Sequence, residues 1–474
     1  MERIKTYDAG FVQKREWMLY KIRADHYPFN LTLRVDLETF DSAVFQKVID
    51  LLVRKHEILR TTLRSVDGKL KQVVHAPGSF KVRFSVWDLS EIEFSRKEQF
   101  IRTKIDQSSA LPFNFEFGPL FKILVFKKGD KNFEVVFIFH HLIFDDTSGE
   151  IFKQDAIDLW NYIINGEKTG IPPPPPQYRK YTTFENELLE TDLGKEHRTF
   201  WRNQLEEGIP HLKIIEPGKW ETFCVRHRQK VKEVRSKLQK LPFYDERFIA
   251  SVIRRMDSNE LSNYMSTIEY LYSGTTMDNI KAFKRVSNSS MYTLFLASFV
   301  LVLYQLSGQE LYAFDIPASR KNTGDFGRVI GWLAAGGICF IDVNKNTDLV
   351  SFLAYIDEQL FLLSKHCMYP FEAVGYNREV PLGSSIPLFF TLKDNHIDFQ
   401  GTIKKAGVVS HEFEGGPCFQ DVAIFIGLFN NYCKLRISYN GYLLSPEVIQ
   451  KVVLKQEELL NTLISQYMGT PQTV

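Results

Sequence analysis

Residues 131–150 read KNFEVVFIFHHLIFDDTSGE, and the fold is decided here. Apolar side chains fill nearly every position from Phe133 to Phe139, so both faces of this strand are shielded from water and it lies inside a layered domain. The segment before it, PLFKILVFKKGDKN, is a second apolar strand ending in a Lys-Gly-Asp turn, which predicts an antiparallel hairpin. After it, Thr147 and Glu150 have capping-box spacing and predict a helix through Ile151, Phe152, Ile157 and Trp160. Side chains alternate along a strand, so His140 and His141 point in opposite directions. Together with Asp145 they place two imidazoles and a carboxylate in six positions, and imidazole suits acid–base work near neutral pH. The residues alone leave a plainer alternative open, in which both histidines are core side chains satisfied by backbone groups and Asp145 caps a turn.

The 474 residues exceed one ordinary core and imply two domains of similar size. An apolar content of 44% with 24% charged residues is that of a soluble globular protein. The net charge of +2 points to neither nucleic acid nor an acidic surface as partner. Cys224, Cys339, Cys367, Cys418 and Cys433 form no CxxC pair and no metal-binding spacing, which suits free thiols in a reducing cytoplasm. The N-terminus has no apolar core of a secretory signal. The apolar window Tyr292 to Leu306 is shorter than a bilayer requires and is interrupted by Ser298 and Gln305, so it reads as a buried helix.

The proline run Pro172 to Pro176 can be neither helix nor interior strand, and it places a domain boundary near residue 180, giving units 1–180 and 181–474. Upstream, Asp41 caps an amphipathic helix with Val44, Phe45, Val48, Leu51 and Leu52 on one face, followed by RKHEILRTTL. Downstream come charged helices with an aromatic anchor at Phe200-Trp201, then a basic stretch from 213 to 260 with no assignable element. A helix from Met291 to Leu306, a Ser307-Gly308 turn and a strand from Leu311 to Ile316 follow. GWLAAGGICFIDV holds a strand in its second half; its small residues allow close approach of backbone or ligand but lack the order of a phosphate loop. SIPLFFTL, DVAIFIGLFN and CKLRISYNGYLL read as strands, and a helix with Ser445 and Pro446 at its start closes the chain. The class is α/β or α+β, with two layers per domain.

Seven of these segments, in order, resemble the condensation domain of nonribosomal peptide synthetases, a branch of the chloramphenicol-acetyltransferase-like superfamily. VQKREWMLY resembles the opening AQxRLWxLxx block, RKHEILRTTL resembles RHExLRTxF, FHHLIFDDTS resembles MHHxxxDGxS, and TFWRNQLEEG resembles YWxxxLxG. The helix with its SGQ turn and DIPASRKN is similar to the family's long helix and GxPxAxR strand; RVIGWLAAGGICFIDV stands where IGxFVNTxxxR belongs, and HCMYPFEAV where HQxxPFE belongs.

The resemblance implies two acetyltransferase-like halves in a V-shaped pseudo-dimer with a central tunnel. It implies amide formation between a carrier-bound acyl or peptidyl thioester and an amine, with His141 catalytic, His140 positional, Ser148 orienting the loop, and Asp145 paired with Arg60 as a structural ion pair. Gly331, Trp332, Ala335 and Gly336 would line the tunnel. No cofactor or metal of its own is implied: substrates arrive on the phosphopantetheine arms of donor and acceptor peptidyl carrier proteins, with an adenylation domain adjacent, and the isolated domain is a monomer. Two departures stand out. Asp146 replaces the glycine after the motif aspartate, and Ala335 and Gly336 replace the Asn and Thr of IGxFVNT. A heterocyclising branch would carry Asp in place of His140. The departures leave two further readings, a condensation-like platform that binds carriers or recruits a tailoring enzyme, and a stand-alone acyltransferase with a soluble acceptor.

Overall fold

A computed structural model describes residues 4–22, 29–165, 173–241, 265–287, 289–322, 324–345, 348–374, 386–394, 408–414, 420–429 and 432–469. Its first three-stranded sheet contains β1 (Lys5–Asp8), β4 (Lys69–Val74) and β3 (Thr61–Val66), in that order. A five-stranded sheet runs β12 (Val408–Glu414), β2 (Asn30–Leu37), β7 (Asn132–His140), β6 (Phe121–Gly129) and β5 (Phe84–Asp88). A six-stranded sheet runs β10 (Ala334–Asp342), β9 (Leu311–Ser319), β11 (Leu388–Asp394), β13 (Val422–Leu428), β14 (Cys433–Asn440) and β8 (Met265–Tyr272).

The hairpin read from the sequence is β6–β7, antiparallel from Phe121 opposite Phe139 to Gly129 opposite Asn132. Both faces of β7 are buried because both are covered. Phe137 packs on Phe45 and Phe152, from the helices Ser42–Lys55 and Asp146–Asn165, while Val136 and Ile138 join Leu89, Ile101, Ile105, Leu124 and Phe126 under the helix Phe94–Ser109. The six-stranded sheet is covered by the helices Met291–Ser307, Leu349–His366 and Pro446–Gly469. Met291–Ser307 is buried on almost every side, and its polar Ser298 accepts a hydrogen bond from Gln456 at 2.8 Å, which lets a hydroxyl sit inside this core. Among the described residues no helix is long and apolar enough to cross a membrane.

The division expected at residue 180 is crossed at several places. β12 pairs antiparallel with β2, so a strand from beyond residue 400 lies at the edge of the first half's sheet. The helix Tyr178–Leu188 carries Glu185, whose buried carboxylate accepts from Phe11 N at 2.7 Å and from the Arg320 guanidinium at 3.0 Å. Tyr181 Oη lies 2.8 Å from the same guanidinium. One continuous hydrophobic cluster runs through both halves.

The stretch from 213 that the sequence left unassigned contains a helix, Pro217–Leu238, with proline in its first turn, packed on the helix Phe11–Ile22. Phe200 and Trp201 are the anchor expected of them. Trp201 is fully buried and donates from Nε1 to the His366 carbonyl at 3.1 Å, and Phe200 stacks on the His366 ring at 3.9 Å. Pro172 and Cys418 lie outside the described residues, as does the rest of the basic stretch from 242 to 260.

Candidate active site

Strand β7 ends at His140 and a short 3-10 turn begins at His141, so the two rings leave the backbone on different sides. His140 is 1% exposed and packs edge-on against Phe115, with ring centres 4.7 Å apart. Its Nδ1 accepts the Leu142 N–H at 3.0 Å. An Nδ1 engaged as acceptor carries no proton, so the turn fixes both ring orientation and tautomer. His141 is only partly buried. Its ring stacks on Trp332 at 3.8 Å and against Phe29 at 4.4 Å, and the guanidinium of Arg15 lies 5.3 Å from the Trp332 ring centre. The niche therefore takes one side from the first helix, one from the start of β2 and one from the GWLAAGG segment of the second half.

Asp145 holds that niche together. Its Oδ1 accepts from Ser148 N at 2.7 Å, Ser148 Oγ at 2.6 Å, Thr147 Oγ1 at 3.1 Å and Lys321 Nζ at 3.0 Å. Its Oδ2 accepts from the backbone N–H groups of Leu333 and Ala334, both at 3.0 Å. The helix thus begins at Asp146 with Asp145 as its cap, in place of the cap expected at Thr147. Ser148 is also fully buried: its Oγ accepts from Gly331 N at 3.1 Å and lies 3.0 Å from Gly331 O. Burial pushes the Asp145 carboxyl upward, but the Lys321 charge and the Ser148 hydrogen bonds outweigh it and hold the group below the usual carboxylate range.

The ion pair expected between Asp145 and Arg60 is corrected by this geometry. Asp145 pairs with Lys321. Arg60 instead donates to three carbonyls, of Val53 at 2.6 Å, Arg54 at 2.9 Å and His75 at 3.0 Å, where it closes the C-terminal end of the helix Ser42–Lys55. The one sequence signal for Lys321 is that it stands at the Arg position of GxPxAxR when that pattern is aligned on Pro317; its partner lies 176 residues away. Phe29 and Arg15 were missed for the same reason, although Arg15 belongs to the opening block.

Asp146 turns away from these contacts. Its side chain is 50% exposed and pairs with Lys393 at 2.5 Å, at the end of β11. As first residue of a helix its negative charge also faces the positive end of the helix dipole. Gly331, at φ +156°, is needed for close approach, since a Cβ there would run into the Tyr178 ring; Tyr178 Oη donates to the Trp332 carbonyl at 3.2 Å. Ala335 faces the core of the six-stranded sheet and is 5% exposed, while Gly336 faces the opposite side.

One helical stretch farther along, Asp155 is a second fully buried carboxylate. It accepts from Lys55 at 2.9 Å, from His56 Nε2 at 2.8 Å and from Arg328 at 2.6 Å. Burial lowers the His56 imidazole below its ordinary value against the pull of Asp155. Among the described residues no group of three or more His, Cys, Asp or Glu side chains forms a metal site.

The Condensation domain family profile matches residues 3–468. Gramicidin S synthase 2 of Aneurinibacillus migulanus is 23% identical over 86% of this chain and 8% of its own length. Bacitracin synthase 1 of Bacillus licheniformis is 23% identical over 98% of this chain and 8% of its own length. The chain thus spans less than a tenth of these curated relatives. Among solved structures, the starter condensation domain of rhizomide synthetase superposes with a TM-score of 0.72 at 13% identity, covering 97% of both chains. The epimerization domain from the third module of tyrocidine synthetase B superposes with a TM-score of 0.71 at 14% identity, covering 98% of this chain and 97% of the other.

Proposed function

Because this chain belongs to the condensation domain family, we propose that it joins a carrier-bound acyl or peptidyl thioester to an amine, with His141 at the reacting centre. The observation that carries this reading is the placement of His141. It stands partly exposed at the end of an otherwise buried strand, packed against both Phe29 and Trp332 where the two halves meet. Its neighbour His140 is buried and engaged with backbone, as a positioning residue should be.

An α-amino group has a pKa near ~8, so a substantial fraction is already nucleophilic at neutral pH, and a thioester is already activated. The amine nitrogen attacks the carbonyl carbon, the C–S bond breaks, and the proton lost by nitrogen ends on the departing thiol. Holding the reacting atoms about 3–3.5 Å apart supplies much of the rate. His141 orients the amine and carries the proton. Asp145, through Ser148, Leu333 and Ala334, keeps the loop bearing His141 in register with the second half.

The test uses one acyl-loaded and one aminoacyl-loaded carrier, with the product read by intact mass. Transfer by the parental chain that falls at least about 100-fold in a folded His141→Ala variant supports the assignment. Parental turnover in that variant overturns it. The platform reading draws on the Trp332 ring that covers one face of His141 at 3.8 Å; carrier binding without any transfer is its signature in the same assay.

A further inference from the structure

Gly336 and Gly337 face opposite sides of β10. A Cβ on Gly337 would meet Leu363 Cγ at 2.7 Å, so that residue faces the helix Leu349–His366. Gly336 faces the other way, on the side where Ala334 packs with Val12, Phe29 and Trp332 beside His141. Over Gly336 stands the carboxylate of Asp315 from β9. Its Oδ1 lies 2.8 Å from the point a Cβ would occupy, and Phe371 Cε1 lies 3.8 Å from that point. Any side chain at 336 would displace this carboxylate. Asp315 Oδ2 accepts from Gln420 Nε2 at 2.8 Å, so the group is aimed rather than loose.

The two positions exchange features of the resembled patterns. Aligned on Pro317, GxPxAxR puts its glycine at Asp315, and IGxFVNT puts its threonine at Gly336. The side chain removed from β10 makes room for the charge added on β9. Asp421, next in the chain to Gln420, is 2% exposed, and its Oδ1 has no hydrogen-bond partner among the described residues. Burial pushes that carboxyl up to about 7. From Ala334, whose N–H is held by Asp145, to Gly336 is two residues of strand, or about 7 Å. That is the reach of one long amino-acid side chain.

We propose that Asp315 selects the amine acceptor, favouring one that carries a second cationic group, such as a basic side-chain ammonium, over a neutral isostere. The proposal rests on the condensation reading for the word acceptor, but its charge recognition is testable without transfer. A charge-assisted contact to a half-buried carboxylate discriminates roughly 10-fold or more.

The experiment measures binding of lysinamide and norleucinamide to the His141→Ala protein by calorimetry, then competition of the matching aminoacyl thioesters for transfer by the parental chain. Expected is at least a 10-fold preference for the lysine compound, collapsing to about 1 in Asp315→Asn and in Gly336→Thr, which evicts the carboxylate by bulk. Asp315→Ser serves where Asp315→Asn does not fold. Equal binding of the two amides, or a preference that survives these substitutions, overturns the proposal. A binding preference without transfer leaves it standing and removes the condensation reading instead.

Discussion

The helix Asp146–Asn165 is flanked and crossed by two buried carboxylates that solve the same problem differently. Asp145 is satisfied mostly by directional, neutral donors: two backbone N–H groups of the second half, one of its own first turn and two hydroxyls, with Lys321 supplying the positive charge. Asp155 is satisfied entirely by side chains, the charged Lys55 and Arg328 and the neutral imidazole of His56. Backbone donors fix geometry, because they cannot move without moving a strand; charged side chains fix only proximity. The carboxylate that must hold a loop in register has the first kind of shell, and the one that joins helices has the second.

The largest expected effect breaks the first shell. Asp145→Ala strands Lys321 in a site where its side chain is 5% exposed, and should cost about 3–5 kcal/mol in chemical denaturation. A double-mutant cycle sharpens the partner assignment. Asp145 and Lys321 should couple by about 0.5–3 kcal/mol, whereas Asp145 and Arg60 should be additive within about 0.5 kcal/mol. Strong coupling to Arg60 would restore the pair expected from the sequence.

A smaller, graded effect separates the two carboxylates by pH. The folded pKa of His56 is depressed, so the unfolded chain binds more protons once pH drops below the ordinary imidazole value of 6.5. Stability is therefore present above that value and declines as pH falls through it. His75, His197, His211 and His366 shift the same way through burial. The depressed carboxylates add their loss only below the ordinary 3.8. Asp421, which burial raises to about 7, opposes this trend, so the test is made in Asp421→Asn: there melting temperature should fall between pH 7.5 and 5.5, less steeply when His56→Asn is added, and an unchanged melting temperature contradicts this account. The smallest effect is at Arg328, whose side chain is 58% exposed. Arg328→Ala should change stability by less than about 1 kcal/mol at ordinary salt, because solvent screens its share of the Asp155 shell.

What was legible in the sequence follows periodicity and local chemistry. The β6–β7 hairpin and the buried helix at 291–307 were legible as continuous apolar runs bounded by turn residues, and the closing helix from the Ser445-Pro446 start. The opposed directions of His140 and His141 were expected from strand alternation, and the 3-10 turn that begins at His141 also separates them. The contact of Lys321 with Asp145, the packing of Phe29 and Trp332 on His141 and the contact of Asp315 with Gly336 were not legible, since each joins positions that only the fold brings together, although Lys321 holds the Arg position of GxPxAxR. The helix at 217–238 failed for a different reason: its mixed, basic composition shows no apolar stripe. Asp146 departs from the glycine of the resembled motif. At the first position of a helix it finds a cation, Lys393, across the seam.

The pairing of β12 with β2 also sets an order of events in time. The partner of β2 lies at 408–414, far downstream of the last strand that the first half supplies, so during synthesis β2 waits as an open edge while the second half is made. At translation speeds of about 5–20 residues per second the delay is on the order of tens of seconds, long compared with strand pairing. The nascent first half must stay soluble through that interval with an unpaired edge, the condition under which chains seek wrong neighbours.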